Sequence, residues 1–277
     1  MLAALPSHPK IAFLGGGNMA AALIGGLLKT GWPAEQIVVA EPVAERVDWL
    51  KATFGIAVQA KGAALPGDAD ALVLAVKPQQ MASALAGLSL KPGAVVVSIA
   101  AGVRLSTLQR LLGDQVSYVR TMPNTPALLG AGITGLFAPA GTSPAARVLA
   151  EQLLAAAGAC VWVDEEAQLD AVTALSGSGP AYFFLLVEAL RDAGTALGLS
   201  ANVAAQLAAQ TCVGAARMVG ESGLDASVLR ANVTSKGGTT EAAVNHLESA
   251  GLRAMFKQAL QAADARAKAL GDALDQH

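Results

Sequence analysis

A short apolar run, Lys10-Ile11-Ala12-Phe13-Leu14, passes directly into Gly15-Gly16-Gly17-Asn18-Met19-Ala20 and then into the apolar helical stretch Ala21 to Leu28. A strand that turns into a helix over a single glycine-rich step restricts a chain to few folds. Gly15, Gly17 and Ala20 fit the spacing G-x-G-x-x-A: Gly15 permits the tight turn, Gly17 lets backbone approach a pyrophosphate, and Ala20 lets helix and strand pack closely. A second strand-like run, Ile37 to Ala40, follows Gly31-Trp32-Pro33 and completes a strand-helix-strand unit. The pattern predicts a dinucleotide site. Glu41, at the end of that second strand, is placed to accept hydrogen bonds from both ribose hydroxyls and to repel a 2'-phosphate, which taken alone favours NADH. Arg46 lies just downstream, where its guanidinium can stack on adenine or reach a phosphate, so the choice between NADH and NADPH stays open.

The alternation continues. Ala71 to Val76, Ala94 to Ile99 and Val116 to Arg120 read as continuous apolar strands, with Gln79 to Ala86 and Leu105 to Leu112 as helices between them; Ile133 to Phe137 and Ala159 to Val163 add two more strands. Apolar strands alternating with helices predict an α/β fold, a doubly wound parallel sheet covered on both faces. After Asp164 no strand-like run remains and helical periodicity takes over. The expected organisation is a Rossmann-type dinucleotide-binding domain, residues 1–163, followed by an all-helical domain, residues 164–277, for dimerisation and substrate binding.

The helical part carries an unusual surface. In the helix expected over Ala181 to Leu199, opened by Gly177-Ser178-Gly179-Pro180, the charges are Glu188, Arg191 and Asp192 alone. The whole chain is 53% hydrophobic and only 14% charged, against about 25% charged in an average domain. Its excess of apolar side chains needs a destination. The long uncharged stretch Thr121 to Ala146 is broken by prolines, glycines and Asn124, so it is no membrane span, and the expected destination is a subunit interface of Ala- and Leu-rich helices. A net charge of -2 without a basic run argues against nucleic acid and anionic membrane surfaces. The first ten residues have no hydrophobic region typical of a secretion signal, so a cytoplasmic protein is expected. Cys160 and Cys212 stand apart from each other and from histidine, which predicts reduced core thiols. His8, His246 and His277 suggest neither a metal site nor a catalytic triad, with His246 on the exposed face of its helix.

Two further groups of residues carry chemistry. In an open α/β sheet, ligands bind beyond the carboxyl ends of the strands. There the chain places Val76-Lys77-Pro78, then Ala100-Ala101-Gly102, small enough for a flat ring to lie against the backbone, then Thr121-Met122-Pro123-Asn124-Thr125-Pro126, whose prolines force extended geometry on Met122 and Thr125. Late in the chain, Ser235-Lys236-Gly237-Gly238-Thr239-Thr240 runs into the helix Glu241 to Leu247. A glycine-rich turn at a helix start leaves backbone N–H groups without internal partners beside the positive end of the dipole, which suits a carboxylate or a phosphate.

With these residues in view, the chain resembles the pyrroline-5-carboxylate reductases. The resemblance rests on Phe13 to Ala20, Ala75-Val76-Lys77-Pro78, Ser98-Ile99-Ala100-Ala101-Gly102, Arg120 to Pro126, Leu175-Ser176-Gly177-Ser178-Gly179-Pro180-Ala181-Tyr182 and Ser235 to Thr240, in the family's order and across nearly the whole chain. It implies reduction of a cyclic imino acid to L-proline by NADPH or NADH, the last step of proline biosynthesis, in a homodimer or ring of dimers built on the C-terminal helices. It further implies that the substrate loop falls on Ser235 to Thr240, with Gly237 among its substrate-binding residues: Ser235 and the backbone N–H groups of Gly238 and Thr239 hold the substrate carboxylate while the Thr240 hydroxyl hydrogen-bonds the ring nitrogen. On the cofactor side it implies Gly15, Gly17, Asn18, Met19, Lys77, Ala100 and Asn124, to which the glycine motif, the end of the second strand and the carboxyl edge of the sheet add Ala20, Glu41, Val76, Pro78, Ala101, Gly102 and Pro123; Thr240 and Lys77 are the catalytic candidates, and no metal is expected.

The chain departs from the family pattern in places. Lys236 stands where the family usually has proline, Asp225-Ala226 replaces a frequent His-Pro, and Glu41 occupies a position where many members carry a small hydroxyl residue for the 2'-phosphate. Two other classes share parts of the pattern. A β-hydroxyacid dehydrogenase has the same architecture but needs a catalytic lysine early in its second domain, and Asp164 to Ser235 contains none. A non-catalytic nucleotide-sensing protein would not need the Thr240 loop.

Overall fold

The computed structural model describes residues 8–61 and 64–275, which leaves His277 outside the described residues. Eight strands form one sheet in the order β3-β2-β1-β4-β5-β6-β7-β8. They are β1 (Ile11–Leu14), β2 (Ile37–Ala40), β3 (Ala57–Gln59), β4 (Ala71–Leu74), β5 (Val95–Ser98), β6 (Ser117–Met122), β7 (Gly132–Phe137) and β8 (Gly158–Trp162). The six strands from β3 to β6 run parallel across the order; five of them are the apolar runs read from the sequence, and β3 is an additional edge strand. Strand β7 is antiparallel to β6, with Thr121 opposite Leu136, and β8 returns parallel to β7. The sheet is thus mostly rather than wholly parallel, because the link from β6 to β7 is a single 3-10 turn (Thr125–Leu129) and not a crossover helix.

The period-2 alternation of strand side chains divides the core into two layers. Ile11 and Phe13 of β1 point into one, packed with Leu23, Ile24 and Leu27 of α1 (Asn18–Lys29), Leu50 of α2 (Ala44–Phe54) and Leu149 and Leu153 of α5 (Pro144–Ala155). Ala12 and Leu14 point into the other, against Met81 and Leu85 of α3 (Met81–Leu85) and Leu105 and Leu108 of α4 (Leu105–Leu112). Both layers are sealed, and the helices expected over 21–28 and 105–112 form where the pattern puts them. The run expected as one helix over 79–86 splits into a 3-10 turn, Pro78–Gln80, and α3, because Pro78 starts the turn immediately after the strand.

The remaining helices are α6 (Gln168–Val172), a π-helical turn (Thr173–Gly177), α7 (Gly179–Ala196), α8 (Ala201–Glu221), α9 (Ala226–Asn232), α10 (Thr239–Ser249) and α11 (Leu252–Asp275). The described residues form two compact units, one of those within 8–178 together with 263–275, the other Gly179–Ala262. That division differs from the 163/164 boundary read from the end of the strands. Helix α6 stays with the sheet, where Gly135 on β7 leaves room for Val172; a Cβ on Gly135 would lie 2.7 Å from Val172 Cγ1. The last half of α11 also belongs to the first unit, tied by Arg104 to Asp272 and Asp275 and by the Thr107 hydroxyl to Asp275 at 2.6 Å. No helix among the described residues is long and apolar enough to cross a membrane.

Candidate functional site

The glycine turn between β1 and α1 has the geometry that its spacing predicts. Gly15 has φ +100°, and a Cβ there would lie 2.7 Å from the Ala75 carbonyl oxygen, so only glycine fits between the strands. At Gly17 a Cβ would meet nothing within 4 Å, which leaves open space in front of the backbone. Gly17 is also the N-cap of α1 and makes no side-chain cap, so the first N–H groups of this 12-residue helix face that space. Geometry of this kind suits a pyrophosphate.

The turn borders a cleft of 640 Å³ whose walls include Gly15, Gly17, Glu41, Val76, Lys77 and Lys61. Gln80, Ser83 and Ala84 also line it and were not anticipated; two polar residues three apart just beyond a strand end were the available signal. Glu41 is buried at 8% exposure and is used by the protein itself. Its Oε2 accepts from the Gly16 N–H and its Oε1 from the Val43 N–H, both at 2.9 Å. Arg46 does not reach outward. Its Nε donates to the Gly16 carbonyl at 2.6 Å and its guanidinium lies 4.1 Å over the Trp49 ring. Glu41 and Arg46 therefore hold Gly16 from its two backbone ends, a role that needed the fold to become visible.

The other candidates on the cofactor side share the carboxyl edge of the sheet. Asn18, Met19 and Ala20 open α1 after β1, Val76, Lys77 and Pro78 follow β4, Ala100, Ala101 and Gly102 follow β5, and Pro123 and Asn124 follow β6. They are not equivalent. Gly102 has φ +78° and faces the end of α11, where a Cβ would sit 3.3 Å from Leu274 Cδ1, so its glycine serves packing. Asn124 is 9% exposed and its amide is spent inside the protein, Nδ2 donating to the Ser176 carbonyl at 3.1 Å and Oδ1 accepting from the Ile133 N–H at 2.9 Å. Behind this edge, Arg120 of β6 pairs with Glu166 at 3.0 Å and lies 3.7 Å from Asp170. Burial pushes the Asp170 carboxyl up, with the Arg120 charge opposing it. Glu166 also accepts the Leu105 N–H at the start of α4, so one carboxylate fixes two elements.

In the second unit, Ser235 to Thr240 forms the turn that enters α10, whose N-cap is Gly238 without a side-chain cap. Its N–H groups are not all free. Gly238 N–H donates to the Ser235 carbonyl at 3.0 Å, closing the turn, and Gly237 N–H donates to Glu241 Oε2 at 2.7 Å. The backbone donor expected at Gly238 is thus occupied, as is that of Gly237, and Thr239 is the first residue of the helix, where N–H groups have no intrahelical partner. A side-chain carboxylate on Gly237 shows the kind of group this loop accepts. Cys160 is a free, half-buried thiol that burial and the nearby Glu151 push up to about 11, which makes it a poor nucleophile at neutral pH. His246 is exposed.

The helical part has few buried residues of its own. On α7, Phe183, Phe184 and Leu185 are each exposed above 60%, and Leu207, Val213 and Met218 of α8 are about half exposed. An exposed apolar surface of this extent marks an interaction face.

Residues 166–270 match the family model described as pyrroline-5-carboxylate reductase dimerisation, and residues 10–102 match the one described as NADP oxidoreductase, coenzyme F420-dependent. A curated pyrroline-5-carboxylate reductase of Pseudomonas aeruginosa is 49% identical over 98% of this chain and 100% of its own length. The solved structure of a pyrroline-5-carboxylate reductase from Coxiella burnetii superposes with a TM-score of 0.89 at 40% identity, covering 95% of this chain and 99% of that one. That of the Plasmodium falciparum pyrroline carboxylate reductase with NADP bound superposes with a TM-score of 0.79 at 27% identity, covering 97% and 100%.

Proposed function

The chain belongs to the pyrroline-5-carboxylate reductase family, and from that premise we propose how its residues divide the work. The enzyme reduces L-1-pyrroline-5-carboxylate to L-proline with NADPH or NADH, as a homo-oligomer of cytoplasmic location. Residues 1–163 bind the dinucleotide and residues 164–277 dimerise and bind substrate; this functional division differs from the compact units because α6 and the end of α11 lie against the sheet.

The observation that carries the assignment is the uncapped glycine turn at the start of α1, with open space at Gly17 and a 640 Å³ cleft beside it. These residues fit a dinucleotide. Gly15, Gly17, Asn18 and Met19 hold its pyrophosphate, the Glu41 wall takes the adenosine ribose, and Val76, Lys77, Pro78 and the backbone after β5 and β6 take the nicotinamide half. When bound, the reduced nicotinamide supplies the hydride.

The chain's own part is positioning. Attack on a protonated imine neutralises a positive charge, so the site has to hold two rings at contact distance and exclude water, and needs no strongly perturbed acid or base. Ser235, the Thr239 N–H and the start of α10 hold the substrate carboxylate, in the manner Glu241 already demonstrates on Gly237. The Thr240 hydroxyl orients the ring nitrogen, and Lys77 sets a cation in the cofactor cleft. The test is loss of nicotinamide absorbance when purified enzyme meets pyrroline-5-carboxylate, with a 2-hydroxy acid as control. Turnover of the hydroxy acid alone supports a dehydrogenase instead, and absence of turnover with both cofactors overturns the reading.

The preferred cofactor follows from Glu41. Its carboxylate is fixed at the cleft by Gly16 and Val43 and disfavours a 2'-phosphate, while Lys61 on the same cleft favours one. We assign the preference to NADH, because Glu41 is held rigidly and Lys61 is exposed to solvent.

A further inference from the structure

Pro180 lies in the first turn of α7, and it has no N–H. The carbonyl it would serve in a regular helix, four residues earlier, is that of Ser176. The proline ring also crowds that carbonyl, and the backbone there is π-helical, with Ser178 N–H reaching back to the Thr173 carbonyl at 2.8 Å. Short π-helical segments of this kind gather at functional sites. The donor that Ser176 receives comes from another element: Asn124 Nδ2, at 3.1 Å, from the loop that follows β6.

Asn124 is held as firmly as it holds. Its Oδ1 accepts the Ile133 N–H at 2.9 Å and its own carbonyl accepts the Ala127 N–H at 3.1 Å, so it cannot turn to follow another partner without losing contacts. Beside it, Met122 fits against Gly177, where a Cβ would come within 2.5 Å of the Met122 methyl. The loop after β6 and the π-turn therefore meet at two points, one polar and one steric. One side of this junction carries the cofactor candidate Pro123. The other is the last turn before Gly179, where the second compact unit begins.

We propose that Asn124 is a positioning residue for the reaction: its amide replaces the N–H that Pro180 lacks, and so fixes the π-turn from which α7 departs to the cofactor-side loop. This rests on the functional reading above, and it moves Asn124 from cofactor ligand to framework. Hydride transfer is steep in geometry, since a displacement of about 1 Å costs on the order of a hundredfold. A donor lost from the loop that carries Pro123 therefore reaches the nicotinamide half of the cofactor without touching it.

The experiment is a double-mutant cycle on the full-length enzyme with Asn124→Ala, Pro180→Ala and the pair, together with Asn124→Asp, which keeps the acceptor for Ile133 and loses the donor. For Asn124→Ala and Asn124→Asp the expected result is a fall in kcat of about tenfold to a hundredfold, with cofactor affinity by fluorescence titration within about threefold of wild type. In the Pro180→Ala background, which restores a backbone donor to Ser176, Asn124→Ala costs much less, in kcat and in the thermal midpoint alike. Three results overturn the proposal: a loss of cofactor affinity that accounts for the fall in kcat, kinetics unchanged in both single variants, or effects of Asn124 and Pro180 that simply add. A wild-type enzyme that fails to reduce the imine defeats the functional reading instead, and the cycle in thermal midpoint then still decides whether the two residues share Ser176.

Discussion

The two compact units solve the problem of burial in opposite ways. In the first, the largest fully buried side chains, Phe13, Ile11, Leu23, Ile24, Leu27 and Leu72 among them, close two layers around a sheet. In the second, the buried apolar residues among those described are Ala204, Ala208 and Leu229, while Phe183, Phe184, Leu185, Leu207 and Phe256 stand in solvent. One unit has a core and the other has a surface awaiting one. The contrast accounts for the composition, because the excess of apolar residues is concentrated on helices whose partner is another copy of the chain. It also separates the proposed chemistry, since the cleft proposed for the cofactor is formed within the self-sufficient unit, and the dependent one carries the loop proposed to hold substrate.

The most forceful way to break this comparison is to spoil the exposed face. Phe184→Asp removes a ring that is 63% exposed in the single chain. A buried phenylalanine contributes roughly 1.5–3 kcal/mol and in a twofold interface each substitution counts twice, so the dimer dissociation constant should rise at least about a hundredfold. Light scattering across a dilution series reads this directly, and an oligomer that survives unchanged means that the face serves some other purpose. The next effect belongs to the substrate loop. Thr240→Ala should lower kcat/KM by roughly tenfold to a thousandfold, the range for an oriented contact made in the transition state, with cofactor affinity nearly constant. Were cofactor affinity to fall instead, the loop would belong to the dinucleotide.

Gly17 sharpens the comparison from the other side. It lies at φ -64° with nothing within 4 Å of a Cβ, so Gly17→Val is compatible with the fold and fills only the open space. Cofactor affinity should drop by about ten to a hundredfold while the thermal midpoint stays put; Gly15→Val, at φ +100° and against the Ala75 carbonyl, should lose both. A smaller effect is expected at Glu41. Glu41→Ser leaves the Gly16 and Val43 N–H groups without their carboxylate, so both cofactors bind less well. The ratio of affinities should nevertheless move toward NADPH by about tenfold, roughly 1.4 kcal/mol. Paired titrations with NADH and NADPH check this, and a constant ratio would remove Glu41 from cofactor choice.

Much of the first unit was legible in the sequence because its signals are local. Ile37–Ala40 and Leu105–Leu112 appear with the expected ends, and the glycine turn adopts the conformation its spacing requires. Strand β3 was not foreseen: Ala57–Gln59 is a three-residue edge strand with mostly exposed side chains, and an edge needs no apolar pattern. The reversed direction of β7 depends on how a short loop closes, and the return of α11 to the sheet depends on charges far away in sequence, Arg104 and Thr107 with Asp272 and Asp275. Site residues divide in the same way. The motif names Gly15 and Gly17 without help. Which donors remain free at Gly237 and Gly238, and where the Asn124 amide is spent, are properties of side chains meeting across distant segments.

The junction at α11 gives the mildest test, and it concerns where the first unit ends. Burial raises the Asp275 carboxyl, but the hydrogen bonds from Thr107 and Arg104 outweigh it and hold it below the usual value of 3.8. A carboxylate lowered in this way contributes stability that is fully present above 3.8 and is lost as the pH falls through its lowered value. Asp170 acts in the opposite sense. Its raised carboxyl favours the native state as the pH falls toward 3.8, so acid first helps at Asp170 and then harms at Asp275. Asp275→Asn should lower stability at neutral pH by about 1 kcal/mol or less, a shift of ~2–4 °C in thermal midpoint. The decisive feature is the pH dependence: the gap between wild type and variant should close as the pH drops below 3.8. A gap that persists in strong acid would mean that the variant loses something other than the carboxylate charge, and that the pairing of Asp275 with Arg104 and Thr107 does not set the pH dependence.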